Sequence, residues 1–147
     1  MQKEEFAYRI HSLLPGASGT AMEQFVSYAE ELERDGTERS DTFYDRFYVE
    51  LSLVKRDHGE TVAEKLFNFG EQFTCSPFEL RGAARLLAQG WPLEKIRAAI
   101  VEDGCDPTPE EAAESRSALS EFQRGCLRLP NRQYGSTEPE EPAPRLK

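Results

Sequence analysis

The sequence predicts an all-α fold: a single compact multi-helix domain of about seven helices with short connections over residues 1–128, then a Pro-rich disordered tail over 129–147. Three observations carry that expectation. Apolar residues recur every three or four positions along most of the chain, the spacing of one helix face. No stretch alternates with period two for long enough to make a strand. Glycines, prolines and capping residues cut the periodic runs into pieces of helix length.

The first helix is expected on Phe6, Ile10, Leu13 and Leu14, stopped by Pro15-Gly16. Thr20 with Glu23 reads as a capping box for a second helix, whose stripe is Met22, Phe25, Val26, Ala29 and Leu32 and whose end is Gly36. Ser40 or Asp41 caps the third. There Phe43, Phe47, Leu51 and Val54 lie on one face, with Tyr44 and Tyr48 on an adjoining one. So wide an apolar arc belongs to a helix surrounded by others, so the third and fourth helices are expected at the centre. His58-Gly59 ends the third. Val62, Leu66, Phe69 and Phe73 form the buried side of the fourth, where Gly70 allows a close approach.

Ser76-Pro77-Phe78-Glu79 is the clearest start signal, with Ser as cap, Pro at the first helical position and Glu reaching back. Leu80, Ala83, Ala84 and Leu87 face inward on that fifth helix, which Gly90 closes. Trp91-Pro92 opens the sixth, with Leu93, Ile96 and Ile100 inward and Trp91 stapling it to the fifth. Thr108-Pro109-Glu110-Glu111 repeats the start signal. Ala112, Ser115, Leu119, Phe122 and Cys126 mark the seventh helix, expected to stop near Gly125. From Pro130 the periodicity is lost in a segment with four prolines and few bulky aliphatics.

The charge narrows the function. The 147 residues carry 18 Lys+Arg and 27 Asp+Glu, a net charge of -9. Such a surface repels a phosphate backbone, which argues against general nucleic-acid binding. No apolar run nears the ~20 residues of a membrane span. The start, MQKEEFAYRI, is too charged for a signal peptide. Cys75, Cys105 and Cys126 are odd in number and form neither a disulfide framework nor a CxxC pair. These features together point to a cytoplasmic protein with no membrane contact. The acid is concentrated early: residues 1–37 hold 3 basic and 7 acidic side chains and residues 38–75 hold 5 and 8, whereas residues 76–104 hold 4 of each.

The expected function is therefore a non-enzymatic acidic module that binds a basic protein surface, such as a nucleic-acid-handling enzyme that it inhibits or recruits. Glu30, Glu31, Glu33, Asp41, Asp45 and Glu50 would supply charge, with Tyr44 and Tyr48 as aromatic anchors. One alternative is a DNA-binding regulator using the hairpin at 78–100, whose cations are Arg81, Arg85, Lys95 and Arg97. Its second helix begins with Pro92, Leu93 and Glu94, which read base edges poorly. A second alternative is a small thiol enzyme around Cys75, whose thiolate the following helix start would favour. Histidines occur only at His11 and His58, with no second His or Cys at ligand spacing, so neither a metal nor a cofactor is expected. His58 reads as a C-terminal helix residue that suits the dipole. The tail offers a Pro-x-x-Pro run at Pro139–Pro142, and the many aromatics leave a homo-oligomer open.

Overall fold

The computed structural model describes residues 1–73, 77–103 and 108–128, and the side chains within them except at 77, 78, 101–103 and 125–128. The described residues form seven α-helices and one 3₁₀ turn, with no strand. In chain order these are α1 (Lys3–Leu13), α2 (Gly19–Arg34), α3 (Ser40–His58), α4 (Glu60–Phe69), the 3₁₀ turn Glu71–Phe73, α5 (Pro77–Ala88), α6 (Leu93–Asp103) and α7 (Pro109–Arg128).

The wide apolar arc of α3 makes it the hub. It packs against α1, α2, α4, α5 and α7, while α4 lies to one side between α2, α3 and α5, and α6 rests on α5. Phe43, Tyr44, Phe47, Val49, Leu51, Leu53 and Val54 of α3 are all buried. Aromatic rings fill the space around them. Phe6 of α1 stacks on Tyr44 with centroids 4.6 Å apart, and Phe25 of α2 lies 4.6 Å from Phe47 and 4.8 Å from Phe67 of α4. Each such ring contributes about 1.5–3 kcal/mol of burial, and a well-placed pair adds roughly 0.5–1.5 kcal/mol.

Local chemistry sets the ends. Gly59, at φ +96°, is the whole connection between α3 and α4; a residue with a Cβ is strained there, so the sharp break falls on glycine. Thr108 and Glu111 cap α7 reciprocally, the Thr108 N–H donating to Glu111 Oε1 at 3.2 Å and the Glu111 N–H to Thr108 Oγ1 at 3.1 Å. Asn68 of α4 pins the α1–α2 connection: its Oδ1 accepts from the Ser18 N–H at 2.8 Å and its Nδ2 donates to the Gly16 carbonyl at 3.2 Å.

Several boundaries differ from expectation. Ser18, not Thr20, caps α2, its hydroxyl accepting from the Ala21 N–H at 3.2 Å. Neither Ser40 nor Asp41 caps α3. The Ser40 N–H donates instead to Glu33 Oε1 at 2.8 Å, so a side chain of α2 takes that role across the turn. Phe73 belongs to the 3₁₀ turn because α4 stops at Phe69. Gly125 lies inside α7. Trp91 is 39% exposed, and its backbone rather than its ring ties the hairpin, the N–H donating to the Leu86 carbonyl at 3.2 Å. The Ser76 cap, Gly104, and the tail from 129 lie outside the described residues.

Candidate functional site

The expected acidic anchors divide between surface and interior. Glu30, Glu31 and Glu33 are exposed along α2, and Glu23, two turns earlier, is exposed as well. Glu23, Glu30 and Glu31 make no ion pair among the described residues. Glu33 is held by its bond to the Ser40 N–H, which together with the Ser40 hydroxyl lowers its carboxyl pKa below the usual value. A shallow groove of 430 Å³ beside it is lined by Glu30, Glu33, Arg34 and Ser40.

The α3 residues behave differently. Asp41 is bracketed by its neighbour Arg39, whose Nε and Nη2 donate to its two oxygens at 3.1 and 2.9 Å, and this holds its pKa down. Asp45 accepts from the Met1 amino group at 2.6 Å. Both are half-buried and already neutralised.

Tyr44 and Glu50 are corrections to the expected surface. Tyr44 is 2% exposed and stacked on Phe6, so it cannot serve as an exposed anchor. Burial raises its phenol to about 12, with Glu30, Glu4 and Glu33 adding to the shift in that order. Glu50 is 3% exposed. The reason is shared: α3 is covered on several sides, and no solvent arc is left at these positions. Tyr48 is half-buried beneath α7, its ring 5.6 Å from Phe122 and 5.8 Å from the Arg9 guanidinium. The periodicity of α1 did contain an aromatic on the surface. Tyr8 stands two residues after Phe6, on the opposite side of that helix, and is 74% exposed.

The basic hairpin is also largely committed within the protein. Arg81 is 7% exposed, which removes it from any nucleic-acid surface. Its Nη1 donates to the Glu111 carbonyl at 3.1 Å and to Ser115 Oγ at 2.9 Å, and its Nη2 to Glu114 Oε1 at 3.1 Å. Arg85 is paired with Glu111, and Arg97 lies 3.5 Å from Glu94 on its own helix. Lys95 is exposed. Sequence reasoning missed the consequence of placing Arg81 near Glu50, since the two are 31 positions apart and the local pattern marks neither as internal.

Around Arg81 a polar network joins three helices. Arg56 of α3 bonds both Asp57, at 2.7 Å, and Glu114 of α7, and these bonds raise its own pKa and lower those of both acids. Asp57 also lies 3.8 Å from Arg81. Beside the network opens a cleft of 230 Å³ lined by Val54, Asp57, His58, Arg81, Arg85 and Glu111. Its cations are matched by acids, so it presents no net field to a charged ligand. Among the described residues no three His, Cys, Asp or Glu side chains are placed to hold a metal ion, and no helix is long and apolar enough to cross a membrane. Cys75 and Cys105 lie outside the described residues, as does the side chain of Cys126.

The fold and site thus define an all-α domain with an aromatic centre, an acidic outer helix and a buried polar network. Comparison with protein-family models, curated proteins and solved structures finds no match to this chain.

Proposed function

We propose that the protein is a non-catalytic acidic interaction module that binds a basic protein through the outer face of α2. The observation that carries this reading is the exposed set Glu23, Glu30 and Glu31, none of which has a cation of the described residues to neutralise it. Glu33, exposed on the same helix, extends the same negative face. An unneutralised patch on a chain of net charge -9 attracts a basic surface, speeds encounter and orients docking. Carboxylates so displayed can stand where phosphates would meet a nucleic-acid-handling enzyme, which makes such an enzyme the kind of partner that fits. The odd, widely spaced cysteines suit the reducing cytoplasm. No structural observation favours the nucleic-acid reading: the hairpin leaves Lys95 to face a backbone, with Arg81 buried, Arg85 paired with Glu111 and Arg97 with Glu94.

The test is a tagged pull-down from lysate, treated with nuclease and eluted in salt steps, run beside the charge-reversed variant E23K/E30K/E31K. The expected outcome is a basic protein that survives nuclease, leaves the wild type at moderate salt and is missing from the variant, because exposed charges are screened beyond ~10 Å at about 0.1 M salt. Equal capture by the variant, or retention that depends on nucleic acid, overturns the reading.

A further inference from the structure

We infer that α7 is a separable latch, closed over α3 and α5 by contacts centred on the Arg81 guanidinium, which undocks while the helices beneath it stay folded. The reading is independent of the acidic face of α2.

The composition of the interface carries it. The continuous apolar cluster draws on α1 to α6 and on Phe73, and no described side chain of α7 belongs to it. Within 109–124 the sole buried side chain is a polar one, Ser115. The aromatic contact of α7 is peripheral: Phe122 is half-buried, 5.6 Å from Tyr48 and 5.4 Å from the Arg9 guanidinium. Ala112, Ala118 and Leu119 are only partly buried, and the described polar grip is confined to one turn, where Glu111, Glu114 and Ser115 receive Arg81, Arg85 and Arg56. Hydrogen bonds and ion pairs of this kind are modest in net energy, because each exchanges with water when the surfaces part.

The docked state also carries a cost. Closing α7 helps to seal Glu50, whose Oε1 has no hydrogen-bond partner, against Arg81 and Ser115. Of the charged groups gathered there only Glu50 and Arg81 are buried, and their atoms stand 3.9 Å apart without a hydrogen bond, so sealing them from water opposes docking. Undocking returns water to Glu50 and leaves the aromatic core intact. Undocking α7 therefore exposes far less apolar surface than opening α3, which would expose Phe43, Phe47 and Leu51. A helix attached in this way opens sub-globally, below the free energy of global unfolding.

Native-state hydrogen exchange followed by mass spectrometry on the full chain tests this, at about 50 mM and about 500 mM salt, where screening lengths differ severalfold. Amides within 112–124 are expected to exchange at least about tenfold faster than those of α3, and to accelerate severalfold more at high salt while α3 does not. Glu114→Gln, at a partly exposed position, is expected to reproduce that acceleration at low salt and to blunt the salt response. Arg56→Gln, also at the surface, serves as the second variant should the first lose its cooperative melt. Equal exchange of α7 and α3, an α7 rate indifferent to salt, or a variant that speeds both helices together overturns the latch.

Discussion

The Nε of Arg81 stands 3.9 Å from Oε1 of Glu50, close enough for strong attraction and too far for a hydrogen bond. The acid is thus buried beside a cation that spends its other nitrogens on α7. Burial raises the Glu50 carboxyl pKa, and Glu114 adds to the rise, while the Ser115 hydroxyl, Arg81 and Arg46 oppose it. The two partners should therefore respond unequally to mutation.

Arg81→Met leaves Glu50 buried with no close cation and is expected to cost about 3–5 kcal/mol, whereas Glu50→Gln leaves Arg81 its bonds to Glu114 and Ser115 and is expected to change stability by less than about 1.5 kcal/mol. Because the folded-state value of Glu50 lies above the unfolded one, its contribution is favourable at low pH and is lost as pH rises through the raised value. Urea melts between about pH 5 and pH 8 should show Glu50→Gln gaining on the wild type as pH rises. A constant difference would show that the acid does not titrate in that window.

Tyr44 should behave as a core residue. Tyr44→Ala is expected to cost about 3–5 kcal/mol, as for other large-to-small aromatic substitutions. A double-mutant cycle with Phe6→Ala should return a coupling of about 0.5–1.5 kcal/mol. Ultraviolet titration should find one tyrosine ionising near 12, with its share of stability present below the ordinary value of 10 and lost as pH climbs through the raised one.

Glu33 joins two helices through its hydrogen bond to the Ser40 N–H, supported by the Ser40 hydroxyl. Glu33→Ala is expected to lower the melting temperature, and Glu33→Gln, which keeps a carbonyl acceptor, to lower it less. Since that bond holds the carboxyl pKa below the usual value, its contribution is present above the unfolded value and is lost as pH falls. Thermal melts of the three proteins at neutral and acidic pH check the order and its collapse.

Two glycines should give opposite signs. Gly70 has φ +104°, and a Cβ there would meet Oε1 of Gln24 at 2.6 Å. The flexible Gln24 side chain can move aside, but the backbone angle cannot be relieved, so Gly70→Ala is expected to destabilise by about 1 kcal/mol or more. Gly19, at the first helical position of α2, has open space around it, so Gly19→Ala should stabilise by about 0.4–1 kcal/mol. Denaturant midpoints measured at unchanged slope decide both.

Much of the fold was legible because its signals are local. Gly36, Gly59 and Gly90 fall at the ends of α2, α3 and α5 as their positions imply, and Thr108 and Glu111 make the reciprocal cap that their spacing calls for. The interaction surface was less legible. Glu30, Glu31 and Glu33 sit on the solvent side of a helix with one packed face, so periodicity alone placed them. Tyr44 and Glu50 sit on a helix packed from several sides, where no position is outward by pattern. Glu33 was legible as a surface acid and illegible as the cap of α3, because that role depends on how the α2–α3 turn closes.

The amino-acid order by itself determined that this chain is helical, where most helices stop, and that its first four helices carry most of the excess acid. Helix period, caps and charge are properties of neighbours along the chain. The tertiary structure alone decided which polar groups are sealed inside. Arg81 meets Glu50, Glu114 and Ser115 because α3, α5 and α7 converge there. Burial depends on what packs against a side chain from the rest of the molecule, and that is written in no local spacing.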